Sequence, residues 1–318
     1  MTAVAAQTPK TPVAKLSIPH KHLLSVEHLS REDILTILDL SEYYVVQNRR
    51  KSQTNALLKG LVLINLFLEN STRTRLSFEM AAKRLGADVI NMTVEGSSIK
   101  KGESFIDTLK TLNAMRPDLF VIRHNEEGSA EKASGILDCP VLNAGDGTRE
   151  HPTQALLDAL TLRRHFGRLE GLNVAIVGDI LHSRVAHSNL NLFKKMGVNV
   201  KCVGPVELMP LSAGGTQDMK LGLTDADAVM VLRMQKERMQ KALSFTEVQY
   251  FKNYGLTAER LGFAKPGAVV LHPGPMNRDV EIDAAIADDP KSSLITLQVE
   301  MGVAVRMACL DLLTRSLR

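Results

Sequence analysis

Ser71, Thr72, Arg73, Thr74 and Arg75 stand together after the apolar run 61–68 and just before a helical pattern in Phe78, Ala81, Ala82 and Leu85. Hydroxyls and guanidinium groups at a strand-to-helix junction can join the helix's free N–H groups and positive dipole end around a phosphate. Arginine suits this role because its planar fork grips two phosphate oxygens at once. Other polar clusters stand in the same relation to apolar runs. Arg123-His124 follows the run ending at Ile122, while Gly145-Asp146-Gly147 and then His151-Pro152-Thr153-Gln154 follow the run ending at Asn143. Gly178-Asp179 leads to Arg184, Arg233-Met234-Gln235 follows Leu232, and His272-Pro273-Gly274-Pro275 follows Leu271. Each lies after the carboxyl end of an expected strand, where open parallel sheets bind ligands, so the set points to one cleft between two domains. Taken singly, His151-Pro152 is also an ordinary helix start, and His272 to Pro275 also an ordinary rigid turn.

The elements that must position these groups alternate in type. Ser30 with Asp33 forms a capping-box pattern ahead of Ile34, Ile37 and Leu38. Strand-like runs are expected at 61–68, 88–94, 118–122 and 140–143, then at 173–177, 199–203, 227–232 and 268–271, with helix-length stretches between them. Such alternation reads as α/β, with two parallel sheets flanked by helices. The domain boundary is expected at the helix near His151. Val299, Val303, Met307, Leu310 and Leu313 form a helical stripe, so the last segment is expected to return to the first domain. The expected division is a mobile tail at 1–17, one domain at 18–150 plus 299–318, and a second at 151–298.

Composition narrows the function classes. With 318 residues, 44% apolar content and a net charge of +4 without long charged blocks, the chain lacks a nucleic-acid footprint and suits small anionic substrates. Cys139, Cys202 and Cys309 are far apart and form no CxxC pair, which argues against a disulfide framework or thiolate zinc site and fits a reducing cytoplasm. No signal-peptide core and no apolar run of about 18 residues is present, so no membrane span is expected. Gly178-Asp179 lacks the further glycines of a dinucleotide fingerprint, which weakens an NAD-dependent oxidoreductase reading. The segment from Gly96 to Gly102 reads, from spacing alone, as a solvated basic turn.

Together, Ser71 to Arg75, Arg123-His124 and His151 to Gln154 resemble the carbamoyl-phosphate half of the carbamoyltransferase family, over nearly the whole chain from about Leu16. Arg233-Met234-Gln235-Lys236-Glu237-Arg238 and His272 to Pro275 are similar to its aspartate branch. The ornithine branch would carry His-Cys-Leu-Pro at 272–275 and Trp in place of Arg233, whereas this chain has no Trp and no cysteine near His272. The resemblance implies transfer of the carbamoyl group of carbamoyl phosphate to the α-amine of L-aspartate, early in de novo pyrimidine biosynthesis, with no cofactor, metal or covalent intermediate. It makes 18–150 plus 299–318 the carbamoyl-phosphate domain and 151–298 the aspartate domain. It implies that Ser71, Thr72, Arg73, Thr74 and Arg123 bind phosphate, and that Thr74, Arg123 and His151 polarise the carbonyl. Gln154 and the Pro273 carbonyl, beside Gly274, would hold the amide; Arg184 would take the α-carboxylate, and Arg233 with Gln235 the side-chain carboxylate. The resemblance also implies a homotrimer in which Ser97 and Lys101 enter a neighbour's site, Lys101 reaching both substrates. A regulatory chain or dihydroorotase-like partner is compatible with it. The alternatives are another acceptor such as ornithine, or a non-catalytic scaffold of the same fold. Two departures are Gly274, where one branch has Leu, and Asp279, where Gly is common and where a strained or differently turned loop is therefore expected.

Overall fold

The computed structural model describes residues 16–50, 56–93, 102–210, 215–235, 238 and 243–317. The chain divides into two compact units, Met1–Leu160 with Val299–Arg318, and Thr161–Gln298. The division falls inside a helix, past the start at His151 where the sequence pattern puts it.

In the first unit the order is α1 (Arg31–Arg49), β1 (Val62–Phe67), α2 (Thr72–Arg84), β2 (Asp88–Thr93), α3 (Phe105–Ala114), β3 (Leu119–His124), α4 (Ser129–Ser134), β4 (Val141–Asp146) and the start of α5 (Pro152–Phe166). α1 begins with a reciprocal box in which the Ser30 side chain accepts from the Asp33 N–H and the Asp33 carboxylate accepts from the Ser30 N–H. All four strands are parallel, in the order β2-β1-β3-β4. Central β1 is buried without a break from Leu63 to Phe67, Asn65 included, because helices cover both faces of such a sheet. One face packs Ile64, Leu66, Phe120 and Ile122 against Leu109 and Leu112 of α3 and Ala130 and Ala133 of α4. Phe78, Ala81, Ala82 and Leu85, the pattern read for α2, are fully buried.

The second unit runs β5 (Asn173–Val177), α6 (Arg184–Lys195), β6 (Asn199–Val203), α7 (Met219–Leu223), β7 (Ala228–Val231), α8 (Glu247–Tyr254), α9 (Ala258–Leu261), β8 (Val269–Leu271) and α10 (Ala284–Ala287). Its parallel sheet has the order β6-β5-β7-β8. Ala175, Val177, Val229, Val231 and Val270 pack with Leu223, Leu256 and Ile286 in a core of its own. α11 (Ile295–Thr314) then carries the chain back to the first unit.

Two details differ from the sequence pattern. β3 and β4 run on through His124 and Asp146, because parallel pairing carries polar residues into the sheet across a register shift between Ile122 and His124. α11 is more than a striped helix: Ala304, Val305, Ala308, Cys309 and Leu312 are buried along with Met307, Leu310 and Leu313, whereas Val299 is 52% exposed. A helix covered on all sides shows no single apolar face.

The strand orders explain where function can gather. In each sheet the chain leaves the first strand toward one edge and returns on the other side, so connections after β1 and β3, and after β5 and β7, diverge. Such a switch point opens a crevice at the carboxyl ends of the two central strands. No described helix is long and apolar enough to cross a membrane, and among the described residues no cluster of three His, Cys, Asp or Glu side chains is placed to hold a metal ion.

Candidate active site

The first switch point presents the amino end of α2. Ser71 is its N-cap, yet its side chain makes no capping hydrogen bond and the first turn holds no acidic residue. Elsewhere Ser30, Ser104, Ser183 and Thr246 each cap their helix with a side-chain oxygen, and the Asp146 carboxylate accepts from the Gly128 and Ser129 N–H groups at 3.1 and 3.2 Å ahead of α4. α2 therefore keeps its first N–H groups and dipole end for an external anion. Thr74 is buried there, while Thr72 and Arg73 are exposed.

Across the switch point, Arg123 sits on β3 in register with Phe67, and its carbonyl accepts from the Leu68 N–H at 2.9 Å. Its guanidinium donates to Glu69 at 3.0 Å and to the Ala144 carbonyl at 3.3 Å, which stretches it across the ends of β1, β3 and β4. Its sequence neighbour has a different job. His124 Nδ1 accepts from the Glu126 N–H at 2.9 Å, and the ring packs edge-on against Phe105 at 4.9 Å. Burial lowers its pKa, leaving a neutral ring with its proton on Nε2.

His151 and Gln154 are buried at the start of α5, with the Gln154 N–H donating to the His151 carbonyl at 2.9 Å and Gln154 Nε2 to Asp158 at 2.9 Å. Glu150 fixes the approach to this helix. Its carboxylate accepts from Ser25 Oγ and from the Val26 N–H, each at 2.9 Å. Ser71 to Thr74, Arg123, His151 and Gln154 thus all follow or end strands of one sheet, on a single unit.

At the second switch point, Gly178 has φ +125°, and a Cβ there would lie 2.6 Å from the Leu232 carbonyl oxygen. That close approach lets Asp179 tie two loops together. Its fully buried carboxylate accepts from the His182 N–H at 3.1 Å, lies 2.9 Å from His182 Nδ1, and accepts from the Gln235 N–H at 3.0 Å. Arg184 opens α6 behind the Ser183 cap and is buried. Arg233 and Gln235 brace one another, Arg233 Nη2 donating to Gln235 Oε1 and Gln235 Nε2 to the Arg233 carbonyl, each at 3.2 Å. Two guanidinium groups and an amide on adjoining loops match the charge of a small dicarboxylate.

His272 to Pro275 is more than a rigid turn. His272 Nδ1 accepts from the Gly274 N–H at 2.9 Å, so Nε2 carries the proton and donates to Glu281 at 3.2 Å; both side chains are fully buried. The same Glu281 oxygen accepts from the Asn277 N–H. This pair sets the backbone around the half-buried Pro273 and around Gly274, whose φ is +66°. Replacing Glu281 with alanine is expected to cost about 2–4 kcal/mol in a denaturant titration. Glu281→Gln keeps the accepting oxygen and is expected to recover most of that loss; equal stability of the two variants would refute the pairing. Farther along, Asp279 is exposed with φ +61°, a conformation that suits glycine. Asp279→Gly is therefore expected to raise stability by up to about 1 kcal/mol, and a lower Tm would refute the strain.

Residues 21–164 match the aspartate/ornithine carbamoyltransferase carbamoyl-P binding domain, and residues 170–313 the Asp/Orn binding domain of the same family. The chain belongs to the aspartate/ornithine carbamoyltransferase family. It is 57% identical over 307 residues to the aspartate carbamoyltransferase catalytic subunit of Rhodospirillum centenum, covering 95% of this chain and 96% of that one. Aspartate transcarbamoylase of Trypanosoma cruzi, solved with carbamoyl aspartate and phosphate, is 33% identical with a TM-score of 0.84, covering 95% of this chain and 97% of that chain. The catalytic subunit of M. Jannaschii aspartate transcarbamoylase is 35% identical with a TM-score of 0.81, over 93% of this chain and 99% of that one.

Within this carbamoyltransferase frame, Ser97 and Lys101 lie outside the described residues. Glu69, Asp179 and Glu281 are supporting carboxylates to which the motif reading gave no role. Their only sequence signal is position, since each lies within a few residues of a cationic or turn motif.

Proposed function

We propose that the chain transfers the carbamoyl group of carbamoyl phosphate to the α-amine of L-aspartate, giving N-carbamoyl-L-aspartate and phosphate, an early step of de novo pyrimidine biosynthesis. The observation that carries this reading is the uncapped amino end of α2 beside Arg123, with Arg184, Arg233 and Gln235 at the equivalent point of the second sheet. Relatives carry the name aspartate carbamoyltransferase, and the Trypanosoma cruzi protein has been solved with carbamoyl phosphate and aspartate together.

In this reading the amine lone pair attacks the carbonyl carbon, the new C–N bond forms, and the C–O bond to phosphate breaks with its electron pair leaving on phosphate. The proton shed by the amine passes to the departing phosphate. Negative charge grows on the carbonyl oxygen and the leaving group, so fixed donors lower the barrier without a nucleophilic side chain. Ser71, Thr72, Arg73, Thr74 and Arg123 hold the phosphate, and Thr74, Arg123 and His151 polarise the carbonyl. Gln154 and the Pro273 carbonyl, next to Gly274, hold the amide. Arg184 takes the α-carboxylate of aspartate, while Arg233 and Gln235 take its distal carboxylate.

The assembly we infer is a homotrimer in the cytoplasm, with Ser97 and Lys101 delivered from the neighbouring copy. Leu76 and Met80 on α2 and Ile90 on edge strand β2 support a contact surface on the first unit, being about half exposed at 49%, 47% and 50%. Incubating the purified chain with carbamoyl phosphate and either L-aspartate or L-ornithine tests the reaction: carbamoyl aspartate alone is expected. No product from either acceptor would favour a scaffold role, and citrulline would move the chain to the ornithine branch. Native mass spectrometry is expected to give three copies of the 34.9 kDa chain, together with any regulatory or dihydroorotase-like partner from extract.

A further inference from the structure

Arg306 on α11 belongs to none of the groups assigned above. It is 4% exposed; Nη1 donates to Ser77 Oγ at 2.6 Å and Cζ lies 5.0 Å from the centre of the Phe78 ring. Among the described residues it forms no ion pair, and its buried Nε has no hydrogen-bond partner. Glycine at 302 makes space for it, since a Cβ there would lie 2.8 Å from Nη1. Burial, first of all, pushes its pKa down to about 10, with the positive Arg123 adding to the fall and Cys309 and Asp158 opposing it. Asp158 is the carboxylate to which Gln154 donates.

A buried cation without a counter-ion is costly, and replacing it by an apolar side chain of similar length often stabilises a fold. Such a group is explained when an anion arrives beside it. Here the neighbours are Arg123 and Ser77, the latter one turn beyond Arg73 and Thr74 on the helix whose amino end is uncapped. We propose that Arg306 is a positioning residue of the carbamoyl-phosphate site: its charge is balanced when the phosphate binds, and its grip on Ser77 sets the first turns of α2. The proposal rests on the reading in which α2 and Arg123 hold that phosphate. Arg306 acts on the substrate through Ser77, through Arg123 and through its field, which at this depth is weakly screened.

The test uses the full-length chain in its assembled state, with calorimetric titration of inorganic phosphate, steady-state kinetics, and thermal unfolding without ligand. Arg306→Met is expected to weaken phosphate binding by about tenfold and to raise KM for carbamoyl phosphate similarly, with the KM for aspartate little changed. Unliganded Tm is expected to stay level or rise, because an uncompensated buried charge is gone. Arg306→Lys restores the charge and is expected to recover much of the affinity. Phosphate binding equal to that of the unsubstituted chain overturns the inference, and so does a loss of affinity that comes with a lower unliganded Tm, which would make Arg306 a structural brace. An unsubstituted chain that binds no phosphate overturns the underlying reading as well.

Discussion

Arg73→Ala is expected to lower kcat/KM for carbamoyl phosphate by about three orders of magnitude while leaving Tm nearly unchanged. The two halves of this expectation have separate causes. Arg73 is exposed on the first turn of α2 and makes no hydrogen bond to another described residue, so its removal breaks nothing that holds the fold. It stands where the helix offers uncapped N–H groups, and in the proposed function its guanidinium is aimed at charge that grows on the leaving phosphate. Arg73→Lys keeps the charge without the planar fork and should recover only part of the rate. Steady-state kinetics beside a melting curve decide the matter: unchanged turnover sinks the phosphate role, and a large fall in Tm makes the residue structural.

Gly178→Ala should act in the opposite way, through the fold of the second unit. The added methyl would stand 2.6 Å from the Leu232 carbonyl oxygen and 3.2 Å from Tyr250 Oη, at a φ of +125° that side chains rarely adopt. The carbonyl cannot easily retreat, because the Leu232 N–H is bound to the Val177 carbonyl at 2.8 Å in the pairing of β5 and β7. Strain and overpacking together should cost about 3 kcal/mol or more. The nearest relief is to move Asp179, which gives up its bond to the Gln235 N–H and loosens the loop carrying Arg233. Denaturant titration is expected to show the loss, and calorimetry a weaker aspartate site with phosphate affinity kept. A near-native Tm would show that Gly178 is not required for the approach of these loops.

The alternation of apolar runs is sufficient to find the eight strands seen among the described residues. The runs at 173–177 and 199–203 coincide with β5 and β6: central β5 is buried and apolar from Val174 to Val177, while β6 at the sheet edge keeps its β-branched pattern with Asn199 and Lys201 exposed. The reading falls short where polar groups lie inside an element. Arg123 reads as the residue after a strand, yet it is on β3, since pairing with Phe67 is a property of the neighbouring strand rather than of its own surroundings. Arg123 and His124 read as a pair and are divided by the alternation of strand faces, one toward the crevice groups and the other against Phe105. Partnerships such as Asp179 with Gln235, His272 with Glu281 and Glu150 with Ser25 depend on tertiary approach and have no spacing rule. Arg306 shares a mostly apolar helix with Glu300 and Asp311, and no motif marks it out from them.

The two sheets share one strand order while keeping separate cores. Under the proposed function, recognition of donor and acceptor is consequently modular: each half inherits its own crevice from its own switch point. A change of acceptor can therefore accumulate on the loops after β5, β7 and β8 without rebuilding the amino end of α2. Substitutions that share no partner across the two cores should combine additively in free energy. In that reading one strand order, used twice, lets the acceptor site vary while the donor site keeps its own scaffold.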